Sequence, residues 1–203
     1  MTEVRRRGRP GLDLATVLDR SVALFNERGF DGTSMEDLAG HLGISKSAIY
    51  HHVASKDALL GLALDRALSG LEAAADEVRA TELPAVGRLE ILVRRSVAVL
   101  VEQLPYVTLL LRVRGNSEVE RQALARRRRI DRLVTELVRE AVTTGDLRAD
   151  VDPAIAARLV FGMVNSLTEW LRPNRSHSAD ELADAVVAAV FGGLRTSAPA
   201  ARR

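Results

Sequence analysis

"TSMEDLAGHLGISKSAIYHHVASK", residues 33–56, packs three helix-start signals around the glycine at position 43. Thr33 and Glu36 stand at capping-box spacing, Leu38 and Leu42 share one helical face, and Gly43 ends the run. Ser45 then caps a short helix expected to run through about Val53, and Ser55 caps a longer one. Gly43 can adopt the left-handed conformation of a tight turn, so "GIS" joins two short helices at a sharp angle.

The same stretch holds three of the four histidines, His51 and His52 side by side, and both lysines of a chain whose basic side chains number 29. Chemistry is one reading of it. Adjacent histidines on a helix point about 100° apart, so His51 and His52 chelate one ion poorly, and no HExxH is present. Without cysteine or a GxSxG serine, with Ser45 and Ser47 at a helix start, and with no glycine-rich phosphate loop, no catalytic residue is assigned, and neither a metal nor a cofactor is expected.

Recognition is the other reading. A helix-turn-helix presents the N-terminal residues of its second helix to base edges in the major groove. Those residues are Ser45, Lys46, Ser47 and Ala48, small or flexible and set at the positive end of a helix dipole. Ile49 and Val53 would pack inward, which leaves Tyr50, His51, His52 and Lys56 on the flank that meets the DNA backbone. A core tyrosine with solvated histidines is the plainer alternative.

The segment "ALFNERGFDGTSMEDLAGHLGISKSAIYHHVASKDALL" resembles the DNA-binding domain of the TetR family of transcriptional regulators. The elements that carry the resemblance fall in order: Gly29-Phe30, Thr33-Ser34, Leu38-Ala39, the Gly43 turn, Ile49-Tyr50, and Lys56 before Ala58-Leu59-Leu60. The resemblance implies base reading by Lys46, Ser47 and Ala48, and phosphate contacts by Thr33, Ser34, Tyr50, His52 and Lys56. Ala48 offers only a methyl group, so readout leans on Lys46 and on DNA shape.

Outward from this core, helical periodicity covers most of the chain, and start and stop signals cut it into about nine helices of an all-α fold. Expected starts are Asp13, Pro84, Ser117 with Glu120, Asp152-Pro153 and Ser178 with Glu181; Pro105 separates a fifth helix from a sixth. Four divisions follow: a basic arm (1–12), the helix-turn-helix domain (13–60), a ligand-binding and dimerisation domain (61–197) and a frayed tail (198–203). With no signal peptide and no run of 18 apolar residues, neither export nor a membrane partner is expected, and the cytoplasm is the default location. The net charge of +2 excludes a generally basic protein, yet Arg5, Arg6, Arg7 and Arg9 crowd the arm. "RGRPG" looks like a minor-groove motif; a solvated tail with nonspecific attraction stands beside that reading.

"AIAARLVFGMVNSL" and "LADAVVAAVFGGL" are apolar on nearly every face, and such helices need cover on all sides. A partner copy, giving a homodimer through the last two helices, is the economical cover; a purely intrachain core is the alternative. The family resemblance implies a ligand cavity among helices four to eight. The C-terminal half also resembles a subgroup responding to acyl-CoA thioesters, with "ARRRR", residues 125–129, as candidate partners of its phosphates. Tyr106, Leu109, Asn165, Glu169 and Trp170 are the expected pocket residues. The function expected is a homodimeric repressor released from a palindromic operator in double-stranded DNA by a small apolar or acyl-CoA-type effector. A helical dimer that binds a ligand or protein without reading specific DNA is the competing expectation.

Overall fold

The computed structural model describes residues 12–172 and 177–195. In these the chain forms α1 (Leu14–Arg28), α2 (Met35–Leu42), α3 (Lys46–Tyr50), α4 (Lys56–Arg79), α5 (Ala85–Glu102), α6 (Leu104–Arg112), α7 (Glu118–Thr143), α8 (Pro153–Trp170) and α9 (Ala179–Leu194). The fold is all-α, and the helices group into two compact units that divide at Ala63 and Leu64, inside α4.

The smaller unit is built from local signals. The Asp13 carboxylate accepts the Thr16 N–H at 2.7 Å to start α1, and Gly29 at φ 82° ends it. Val17, Leu18, Val22, Leu24 and Phe25 form its inner face against Leu38, Leu42 and Ile49, each such side chain contributing roughly 1.5–3 kcal/mol by burial. The α2 capping box forms one residue later than expected, from Ser34 and Asp37 and not from Thr33 and Glu36. Thr33 is drawn inside instead, where its hydroxyl donates to the Gly29 carbonyl at 2.7 Å. Gly43 sits at φ 68°, ψ 30°, the left-handed geometry that the turn into α3 requires. Ser45 caps α3 through the Ala48 N–H, and α3 closes at Tyr50, short of the expected Val53.

In the larger unit α5 lies centrally, packed on α6, α7, α8 and α9. Leu89, Leu92, Val93 and Val97 of α5 meet the buried faces of α7 (Ile130, Leu133, Leu137, Val138) and α9 (Val186, Val190, Phe191). α4 approaches α5 so closely at Gly70 that a Cβ there would lie 3.0 Å from a Val99 methyl. Pro84 precedes α5 without a side-chain cap, and Pro105 falls within the first turn of α6 and does not separate two helices. Ser117 caps α7, but Glu120 does not return to it. The buried Glu120 carboxylate accepts the N–H groups of Arg114, Gly115 and Asn116 through one oxygen, at 2.8, 2.7 and 3.1 Å. Asp152 and the Ser178–Glu181 box start α8 and α9 as expected.

Candidate functional site

In the smaller unit, α3 projects Ser45, Lys46, Ser47 and Tyr50 to solvent with Ala48 half-buried, while Ile49 is fully buried beneath them. His51 and His52 follow on the exposed C-terminal end, and Ser34 is exposed at the start of α2. A bonded Ser45 cap, the Gly43 turn and the Ile49 anchor fix this ridge to the unit's core. It can offer hydroxyls, an ammonium, a phenol and two imidazoles to a groove. Among the described residues no group of three metal-ligating side chains occurs.

Both lysines are tied into the fold. The Lys46 ammonium pairs with Glu36 of α2, and this contact holds the Glu36 carboxyl below its ordinary range and lifts Lys46 above its own. Lys46 therefore stands on the exposed ridge with an acidic companion. Lys56 is half-buried: its ammonium donates to the carbonyls of Phe30 at 2.9 Å and Thr33 at 2.8 Å and lies 4.3 Å from the Phe30 ring centroid. Phe30 in turn meets Phe25 edge to face at 5.2 Å. The family resemblance implied phosphate contacts for Lys56 and for Thr33. In this structure Lys56 ties the Phe30–Thr33 turn to the start of α4, and the Thr33 hydroxyl is inside. Arg5, Arg6, Arg7 and Arg9 lie outside the described residues.

In the larger unit, a cavity of about 30 Å³ is enclosed by side chains of α4 to α8, among them Leu71, Ser96, Leu110, Arg127, Phe161 and Asn165. A wider cleft of about 560 Å³ opens between α7 and α8. Arg127, Asp131, Phe161 and Asn165 line both, so the one continues into the other. Partial desolvation beside the cleft pushes the Asp131 carboxyl above its ordinary range, against the pull of Arg127, although the residue as a whole is exposed. Of the five expected pocket residues, Asn165 lines both spaces. Tyr106 is packed inside, its hydroxyl accepting from Arg66 at 2.9 Å with the guanidinium stacked on the ring; Leu109 is buried core; Glu169 and Trp170 are exposed at the end of α8. Ser96 was missed, although a lone hydroxyl in the apolar run "SVAVLV" was a visible signal.

The arginine run also divides. Arg126 pairs with Asp65 and Glu72 of α4, and Arg129 with Glu72 at 3.5 Å, so these two are spent on the helix packing. Arg127 and Arg128 face the cleft instead.

A rigid helix-turn-helix ridge on one unit and an enclosed polar-and-apolar pocket in another define a class: DNA-binding regulators that respond to small molecules. Residues 17–63 match the model of bacterial regulatory proteins of the tetR family, and residues 82–194 match the Tetracyclin repressor-like C-terminal domain. The chain belongs to the TetR family of transcriptional regulators, which are not enzymes. It is 54% identical to a solved TetR-family member from Streptomyces coelicolor A3, over 89% of this chain and 91% of that one, with a TM-score of 0.82. It is 27% identical to the HTH-type transcriptional repressor KstR2 of Rhodococcus jostii strain RHA1, across 88% of this chain and 89% of the relative. The fold is shared with AibR, solved in complex with isovaleryl coenzyme A and operator DNA (24% identity; 87% and 97% of the chains; TM-score 0.73). No helix among the described residues is long and apolar enough to cross a membrane.

Proposed function

We propose that this regulator is a homodimeric repressor that leaves a palindromic operator when an acyl-CoA-type effector occupies the larger unit. One observation carries the dimer: α8 turns Ile155, Leu159 and Met163 to solvent at 52, 64 and 39% exposure, one turn apart along a single stripe. Beside it the exposed positions of α9 beyond Asp184 carry only small side chains, Ala185, Ala188, Ala189, Gly192 and Gly193, that let a second pair of helices approach closely. A contiguous apolar stripe of that kind is costly to leave in water, and a twofold copy of itself is its natural complement.

A twofold axis would set the two α3 ridges about one helical turn of DNA apart, roughly 34 Å, to meet two half-sites. Ser45, Lys46, Ser47 and Ala48 then meet base edges, and Ser34, Tyr50, His51 and His52 meet the backbone. α4 belongs to both compact units, so an effector that favours one arrangement of α4 changes DNA affinity by its differential binding energy, typically about 1–3 kcal/mol per site. The acyl-CoA class is supported by AibR and by the mixture of arginine and apolar lining in the cleft.

Fluorescence anisotropy with duplexes from the protein's own upstream region tests the reading. Specific, saturable binding that an acyl-CoA reverses is the expected result. Equal affinity for scrambled duplexes would leave the competing reading, a helical dimer that does not read sequence.

A further inference from the structure

The arginines around α7 sort into two populations. Those turned to α4 are neutralised by carboxylates, whereas Arg127, Arg128 and Arg132, with Arg158 of α8, line the α7–α8 cleft and make no ion pair among the described residues. Asp131 is the single carboxylate in that lining. Four guanidiniums around one concave space repel one another, and apart from the bond from Arg128 Nε to the Leu124 carbonyl at 3.2 Å their N–H forks are left to solvent and open to an anion. Phosphate oxygens match that geometry in pairs.

A second observation lies at the far end. Ser96 borders the inner cavity, is 1% exposed, and its hydroxyl has no hydrogen-bond partner among the protein's own groups. A buried hydroxyl without a partner costs stability that an alanine of nearly the same shape would not. Around it the lining is apolar: Leu71, Leu100, Val107, Leu110 and Val164.

We propose that cleft and cavity form one two-part site for an anionic amphiphile: a phosphate-bearing head held by the four cleft arginines, and a short apolar tail whose carbonyl accepts from Ser96. This rests on the effector reading above and adds to it the head site, the tail anchor and a limit on tail length. Phe161, which lines both spaces, stands at the neck between them. The inner cavity admits a few carbon atoms at its present volume; a long chain would have to push apart the α5 and α8 side chains that enclose it.

Isothermal titration with four probes tests this: hexanoyl-CoA, hexanoylpantetheine without the nucleotide phosphates, hexyl-CoA thioether without the carbonyl, and hexyl phosphate. Hexanoyl-CoA should bind about tenfold or more tighter than hexanoylpantetheine. The double variant Arg128→Ala/Arg132→Ala should abolish that preference, while Arg95→Ala/Arg121→Ala, two arginines paired elsewhere, should keep it. Ser96→Ala should weaken the thioester and not the thioether, and should raise the Tm of the ligand-free protein. Strong competition by hexyl phosphate would support the site and make its source a simple alkyl phosphate.

Equal binding of the phosphate-free probe, a preference that survives in the cleft variant, or equal losses of thioester and thioether in Ser96→Ala would each overturn the proposal. So would the absence of binding by every probe in a protein that still discriminates its operator. The operator reading fails on a separate result: wild-type protein that binds scrambled DNA as tightly as operator, whatever the probes do.

Discussion

Lys56→Met separates two roles for one ammonium. It keeps the apolar stem and removes the charge, and with it both bonds to the Phe30 and Thr33 carbonyls, at 2.9 and 2.8 Å, and the contact with the Phe30 ring. A charged hydrogen bond is worth about 1.5–3 kcal/mol at full burial, and the ring contact about 0.5–1 kcal/mol. Lys56 is only half-buried, and the Phe30 carbonyl keeps the Thr33 N–H at 3.2 Å when the lysine goes. Discounting for both, the substitution should cost about 2 kcal/mol of stability. Urea unfolding monitored by circular dichroism measures it.

Salt dependence supplies the second axis. If Lys56 is a clamp, operator affinity falls because the Phe30–Thr33 turn and Ser34 beside it loosen, and the slope of log K against log salt is unchanged. If it is a phosphate contact, the slope shrinks by about 0.9. A stability loss below about 0.5 kcal/mol together with a slope reduced by about 0.9 would refute the clamp.

The remaining expectations concern other paired groups. Glu36→Gln removes the carboxylate beside Lys46 and should tighten binding to operator and scrambled duplexes alike in anisotropy; lost discrimination would mean that Glu36 positions the lysine and does not merely compete for it. Glu120→Ala strips three loop N–H groups of a buried acceptor and should cost about 2–4 kcal/mol in chemical denaturation. Leu159→Glu, at the most exposed point of the α8 stripe, should shift the protein to monomer in sedimentation velocity with its helicity intact, and a persisting dimer would place the interface elsewhere. Bonds from Arg126 hold the Glu72 carboxyl below its ordinary range, so that pair stabilises the fold above the unfolded carboxylate pKa of about 4.3 and is lost as pH falls below it. Unfolding free energy should therefore drop less on acidification in Glu72→Gln than in the wild type, and parallel curves would show the pair to be inert.

The caps were legible because capping is chemistry between neighbours in sequence. Asp13, Ser45, Asp152 and Ser178 each bond an N–H within three residues, and Gly43 needs only its own missing Cβ. One slip, Thr33 for Ser34, arose where two hydroxyl residues precede two acids at the same spacing, so both frames satisfy the local rule. The choice between them is tertiary: the Thr33 hydroxyl finds the Gly29 carbonyl and Lys56 finds the Thr33 carbonyl, 23 residues away. No window along the chain contains that pair of contacts.

The pocket was harder for a related reason: a cavity is space that packed helices leave, and residue type says little about where that space falls. Tyr106 and Trp170 were both expected in the pocket, yet one is packed under Arg66 and the other is exposed. The arginine run, by contrast, held recoverable information. At about 100° per residue, Arg126, Arg129 and Ile130 share one side of α7, and Arg128, Asp131, Arg132 and Thr135 share the other. Ile130, which must be buried, marks the first side as the one that meets neighbouring helices, and there arginines survive only with carboxylates such as Glu72 beside them. The opposite side carries one acid among its arginines, and that imbalance within a single helix was the signal for an anion. Read as a block, "ARRRR" suggested one function; read by face, it holds a structural pair and half of the proposed anion site.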